Sequence, residues 1–113
     1  MLAVGEHLLG EIDDQTLRMT TAMGGGVGLT HQELCGALSS GVLLIGALHG
    51  RTTSAEDDAQ CAQIASRYRQ RFLEEFGSTR CQDIRDRGFG SGGTWPCSEL
   101  VERAGGILLE TLR

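Results

Sequence analysis

The segment that decides the fold is residues 30–50, which read THQELCGALSSGVLLIGALHG. It opens with Thr30 and Glu33, a capping box that typically begins a helix. It closes with Gly50, the residue type that most readily takes the left-handed conformation after a helix. Between them, apolar residues recur at three- and four-residue steps on two adjoining stripes, a pattern typical of a buried helix. The sequence therefore predicts a central buried helix over 30–49.

Small residues interrupt this helix at Gly36, Ser40 and Gly41. Such residues lower helix propensity, but they let a neighbouring element approach closely. We therefore expect tight packing along this part of the helix. The expected core consists of Leu34, Leu38, Val42, Ile45, Tyr68, Phe72, Val101, Ala104 and Leu108.

Capping residues and apolar periodicity predict further helices on both sides of this segment. The predicted helices cover 2–9, 15–23, 30–49, 55–76, 79–87 and a final segment that begins at Cys97. The expected N-caps of three of them are Asp13 or Asp14, Ser54 and Ser78. A glycine-rich loop over 88–93 precedes the last helix. With a single proline and no alternating β-branched runs, the chain is predicted to be an all-α bundle of about five helices.

Charge and composition exclude several classes of function. The net charge is −5 and the three densest arginines alternate with polar and acidic neighbours, so no nucleic acid is expected as a partner. The longest apolar run, 42–48, is too short to span a bilayer, and no membrane insertion is expected. The first residues lack a basic secretory leader, which indicates a cytoplasmic protein. Four cysteines in that compartment are expected to be reduced, metal-bound or redox-cycling.

A second glycine-rich stretch lies at 24–28, before the central helix. Glycine loops at helix starts can cradle phosphate groups. However, no strand precedes this loop and no Gly-Lys-Ser/Thr follows it, so neither nucleotide-binding pattern is present. We expect a tight turn or close backbone packing at these glycines.

The cysteines are the residues most able to carry chemistry. Cys81 is predicted at the third position of a helix capped by Ser78, and Cys97 in the first turn after Pro96. Helix starts stabilise thiolates, so either cysteine is a candidate low-pKa thiolate. Cys35, one turn into the central helix, is its candidate resolving partner. Cys61 lies mid-helix on an apolar stripe, where we expect a small buried residue.

Metal binding is the first alternative. Cys35, Cys81 and Cys97 could be gathered from three helices to hold a metal ion or an iron–sulfur cluster. His31 lies four residues before Cys35 on the same predicted helix face, which makes it a candidate fourth ligand. The cofactor is therefore either absent or a thiolate-bound metal or cluster.

Several segments, in this order, resemble the C_GCAxxG_C_C family: the glycine run 24–28, Glu33 to Ala37 (ELCGA), Gly46, 77–81 (GSTRC) and Cys97. Cys35 corresponds to the cysteine of the CGAxxG motif, Cys81 to the third family cysteine and Cys97 to the fourth. Ser40 stands where that motif ends in glycine. The resemblance implies a single helical domain over 1–113 that lacks half of the family's first helix, together with that helix's cysteine.

The resemblance implies a redox-active protein with Cys35, Cys81 and Cys97 as catalytic residues and an undefined substrate. The role of Cys61 is left open. A redox partner protein is one expected partner. A homodimer is the other, because the apolar face of 34–48 would be left partly uncovered by a shortened first helix. A non-catalytic oligomeric interaction module is the remaining alternative.

Overall fold

A computed structural model describes residues 2–90 and 93–113, and in this part of the chain it contains six α-helices and no strand. The helices are α1 (Leu2–Leu9), α2 (Asp14–Thr20), α3 (Gly36–His49), α4 (Ala59–Phe76), α5 (Cys81–Asp86) and α6 (Cys97–Thr111), with a short 3-10 turn at Thr21–Met23. The all-α prediction is confirmed. Two residues of the predicted 88–93 loop, Ser91 and Gly92, lie outside the described residues.

The core is formed by α3, α4 and α6, which contact one another pairwise. Helix α4 shows why: its apolar residues recur every four positions and form one buried stripe, made of Ile64, Tyr68, Phe72 and Phe76. Leu44 and Ile45 of α3 and Leu108 of α6 pack against this stripe and are almost completely buried. The short helix α5 adds Ile84 to the same cluster. Within the described residues, no helix is both long and apolar enough to cross a membrane.

Three residues of the predicted core are exposed instead. Leu34 keeps 48%, Val42 41% and Val101 48% of its surface accessible. The other six predicted core residues are buried. The prediction fails for Val42 because α3 is apolar on most sides, whereas α4 and α6 cover only part of its circumference. Helix α3 is therefore covered on one side and exposes apolar residues on another.

The predicted start of the central helix is also wrong. Helix α3 begins at Gly36 with Cys35 as its N-cap, so Thr30 does not cap it. His31 has a left-handed backbone with φ of 61°, which no right-handed helix accommodates. A short antiparallel pairing between Leu34 and Arg80 takes the place of the first predicted turns. The backbone groups of residues 31–35 form hydrogen bonds with the glycine loop and with residues 79–82, and not within a helical turn.

Other helix ends follow local signals more closely. Asp13 caps α2 by accepting the amide of Thr16 at 2.7 Å. Gly77 ends α4 in the left-handed conformation, as predicted. Helix α4 begins at Ala59, four residues later than expected, and the Asp57 carboxylate accepts the amide of that first residue at 3.0 Å.

Candidate functional site: a cavity lined by three cysteines

Two of the three candidate cysteines are brought together by backbone pairing. The amide of Cys35 donates to the carbonyl of Thr79 at 2.8 Å, and the amide of Cys81 donates to the carbonyl of Glu33 at 2.9 Å. Leu34 lies opposite Arg80 in this antiparallel pairing. In this register Cys35 lies opposite Thr79 and Cys81 opposite Glu33, so the two cysteines are diagonal neighbours across the pairing. Cys35 is thus the N-cap of α3, and Cys81 is the first residue of α5.

The third cysteine reaches the same region from α6. Cys97 is the first residue of that helix, directly after Pro96. The preceding loop folds back through a bridge between Phe89 and Trp95, with the Gly90 amide donating to the Trp95 carbonyl at 2.7 Å. This bridge lies just before Cys97, and Gly90 within the loop lies near both Arg85 of α5 and the Cys97 sulfur.

The starts of α3, α5 and α6 surround a cavity of about 360 Å³. Its walls also include the 3-10 turn after α2 and the glycine loop. The lining residues are Thr20, Thr21, Met23, Gly24, Gly25, Cys35, Gly36, Ala37, Ser40, Cys81, Ile84, Arg85, Phe89, Cys97, Leu100 and Val101. Cys35, Cys81 and Cys97 are therefore all part of one cavity wall.

Two other sequence candidates lie apart from this cavity. Cys61 is half-buried against the core on α4 and does not line the cavity. His31 does not share a helix with Cys35, because α3 starts after both residues, and it is not part of the cavity wall either. In residues 2–90 and 93–113, no three His, Cys, Asp or Glu side chains form a group that could hold a metal ion. The three thiols share the cavity wall, whereas His31 does not.

The thiols differ in their accessibility and ionisation. Cys97 is exposed, Cys81 is half-buried and Cys35 is 5% exposed. Burial raises the pKa of Cys35, although the amides of Ala37 and Leu38 at the start of α3 partly oppose this rise. Burial also raises the pKa of Cys81, and the neighbouring charge of Arg85 lowers it in part. Of the two candidate low-pKa thiolates, Cys81 is therefore the one that burial disfavours.

The glycine loop packs closely against the site, in agreement with the close backbone packing that the sequence predicts for it. Gly26 has a left-handed backbone with φ of 67°. A β-carbon at this position would stand 2.6 Å from the β-carbon of Cys81 and 2.9 Å from the Cα of His31. Gly36 likewise lies beside the Met23 carbonyl oxygen, which would be 3.1 Å from an added β-carbon. The glycines therefore allow the loop backbone to form a wall of the cavity directly behind Cys81.

Sequence reasoning missed Arg85. This arginine lines the cavity beside the thiols and is the one charged side chain in its wall as the structure describes it. A signal was present, since Arg85 follows Cys81 by four residues and therefore shares its helix face. Phe89 was missed as well, because its place in the wall depends on the bridge to Trp95 and not on a helical period.

The family model described as "Putative redox-active protein (C_GCAxxG_C_C)" matches residues 1–111. No curated protein and no solved structure matches the chain.

Proposed function

This chain belongs to the C_GCAxxG_C_C family of redox-active proteins, and from that premise we propose that it exchanges thiols for disulfides through Cys35, Cys81 and Cys97. The observation that carries the proposal is the cavity whose wall contains all three thiols. Thiol–disulfide exchange requires one accessible thiolate and a second thiol close enough to displace the first product. The shared cavity supports the proposal because all three thiols line it.

Exposure supports Cys97 as the attacking residue. It is the exposed thiol of the three and stands at the first position of α6, where an external disulfide can reach its sulfur. Cys35 and Cys81 are shielded to different degrees and are suited to the resolving step, in which no external molecule needs to reach the sulfur. Cys35 remains the resolving partner expected from its motif.

The exchange consists of two balanced steps. The thiolate of Cys97 attacks one sulfur of a substrate disulfide, whose S–S bond breaks, and the departing sulfur takes up a proton. A resolving thiol then loses its proton and attacks the Cys97 sulfur. This second attack forms a disulfide within the protein and releases the other half of the substrate as a thiol. Two protein thiols are oxidised and one substrate disulfide is reduced to two thiols.

Thiol mapping after mild oxidation tests this function. Reduced protein should form an internal disulfide that joins two of the three cavity cysteines and leaves Cys61 free. Cys97→Ser should slow this oxidation strongly, whereas the matched variant Cys61→Ser should behave like the wild type. If Cys61 enters the first disulfide, or if Cys97→Ser is oxidised as fast as the wild type, the assignment fails.

A further inference from the structure

The cavity has an unusual charge for this protein. The chain carries a net charge of −5, yet no aspartate or glutamate is among the residues of the described cavity wall. Arg85 is the charged residue there. Within the described part of the chain, its guanidinium takes part in none of the ion pairs, although Arg80, the N-cap residue of the same helix, is bound to Asp83. Arg85 is therefore a half-buried cation that has no ion-pair partner among the described residues, and it can bind an anion that enters the cavity.

Arg85 is also adjacent to the accessible thiol. A β-carbon placed on Gly90 would stand 3.0 Å from Nη1 of Arg85 and 3.3 Å from Sγ of Cys97. The guanidinium and the thiol therefore flank the same point and are close neighbours. Gly90 has a φ of 106° and places no side chain of its own at that point.

We infer that the cavity binds small disulfides that carry carboxylate groups, with a carboxylate on Arg85 and the S–S bond at Cys97. This inference rests on the proposed thiol–disulfide exchange and names the substrate class of that same site. The volume of about 360 Å³ is at the small end of ligand pockets and suits a small molecule more than a folded protein segment. Arginine binds carboxylates through two parallel hydrogen bonds, which would orient the S–S bond as well as attract the ligand.

The apolar part of the wall fits such a ligand as well. Ile84, Phe89 and Leu100 are buried side chains that line the cavity around the thiols. The methylene arms between a disulfide and its carboxylates need an apolar surface of this kind. On binding, Cys97 attacks the ligand sulfur, the ligand's S–S bond breaks, and its first half leaves as a thiol. Resolution by a second cavity thiol then releases the other half, also as a thiol.

A series of disulfides that differ only in charge tests the inference. Dithiodipropionate is a dianion, bis(hydroxyethyl) disulfide is neutral and cystamine is a dication, and all three have arms of equal length. For each reagent, the rate of internal disulfide formation in the protein is divided by the rate at which the same reagent reacts with an uncharged small-molecule thiol. This normalised rate should be highest for the dianion. Arg85→Gln should lower the normalised rate with the dianion about tenfold, the loss expected for one charge-assisted hydrogen bond. The rate with the neutral disulfide should fall by a clearly smaller factor, which measures the effect of the lost charge on the neighbouring thiols. The ratio of the two rates therefore isolates binding of the carboxylate.

Arg69→Gln is the matched control. Arg69 is an exposed arginine on α4 that does not line the cavity, and its replacement removes the same charge from the protein. It should leave the preference for the dianion intact. An equal loss in both arginine variants, or a wild-type protein that favours cystamine, would overturn the inference while the exchange function itself remains.

A binding measurement separates this inference from the proposed function. Suberate has the same number of chain atoms between its carboxylates as dithiodipropionate but no disulfide. It should slow the alkylation of Cys97 by neutral iodoacetamide in the wild type and not in Arg85→Gln. Protection without internal disulfide formation would support the anion site and refute the exchange function. Alkylation at the same rate with and without suberate would refute the anion site.

Discussion

Gly41 of α3 lies directly against the aromatic ring of Tyr68 on α4. A β-carbon at position 41 would stand 2.6 Å from the Tyr68 hydroxyl oxygen and 2.7 Å from its Cζ atom. The ring is almost completely buried, and its hydroxyl donates to the carbonyl of Ala37 at 3.4 Å. The small residue at 41 therefore determines how closely α4 approaches the helix that carries Cys35 at its start.

Because of this contact, we expect two glycine substitutions in α3 to have opposite effects on the free energy of unfolding. Gly41→Ala should lower the free energy of unfolding by about 1–3 kcal/mol, because the added methyl group overpacks a rigid ring. Gly46 has nothing within 4 Å of its added β-carbon. Gly46→Ala should therefore raise the free energy of unfolding by about 0.5–1 kcal/mol through helix propensity alone. Urea unfolding of both variants measures the difference, and a stabilising Gly41→Ala would contradict the packing.

The glycine loop offers a second matched pair. Gly26 and Gly28 both have left-handed backbones, with φ of 67° and 61°, so alanine at either position costs roughly 1–2 kcal/mol in backbone strain. Only at Gly26 would the new methyl group also collide with Cys81. Gly26→Ala should therefore destabilise the protein more than Gly28→Ala and change the alkylation rate of Cys81. Equal effects at the two positions would show that the loop does not pack on this cysteine.

The order of thiol alkylation follows from exposure and ionisation. Cys97 is exposed, Cys81 is half-buried, and Cys35 is 5% exposed with a pKa raised by burial. Because the thiolate is the reactive species, iodoacetamide at neutral pH should modify Cys97 first and Cys35 last. Time-resolved peptide mapping of the reduced, folded protein gives the order. Modification of Cys35 before Cys97 would be incompatible with this structure.

The raised pKa values also predict how stability depends on pH. Burial raises the pKa of both Cys35 and Cys81, so the folded chain retains thiol protons that the unfolded chain releases. The stability that these protonated thiols contribute is fully present below the thiol pKa of the unfolded chain, about 8.5. It is lost as the pH rises toward and through the thiol pKa values of the folded chain. Unfolding free energies of the reduced protein should therefore fall above that pH.

Two variants distinguish the contributions of Cys35 and Tyr68 to this pH dependence of stability. Cys35→Ala should flatten the fall in stability that begins near the thiol pKa. Burial also raises the pKa of Tyr68, which adds a further fall above the ordinary tyrosine value of about 10. Tyr68→Phe should remove only this later part. A constant unfolding free energy across the alkaline range would contradict both assignments.

The uncovered side of α3 supports the expectation of a homodimer. Val42 and Leu43 lie outside the buried stripe of α3, and each is exposed by about two fifths. Pairing of two copies around a two-fold axis would bury this apolar face against itself. Light scattering at micromolar concentration should give a mass well above 12.1 kDa, the mass of one chain. Leu43→Glu should shift the protein toward that single-chain mass, whereas Met19→Glu, an exposed control on α2, should not.

Local sequence signals predicted most of the helices, because each depends on residues close together in the chain. The four-residue spacing from Tyr68 to Phe76 requires an amphipathic helix, and Gly77 ends it where a left-handed residue is needed. The same logic failed at Thr30 and Glu33. Their capping box is a genuine local preference, but the pairing of Leu34 with Arg80 provides competing backbone hydrogen bonds that no local pattern reveals.

The sequence by itself determined the helical class, the approximate places of the helices and the three cysteines that match the family positions. The tertiary structure alone decided that Cys35 is an N-cap, that one side of α3 stays exposed, and that Arg85 lies beside Cys97 at Gly90. The physical reason is the range of the forces involved. Caps and periodicity act within one or two helical turns, whereas the cavity depends on hydrogen bonds and packing between segments far apart in the chain.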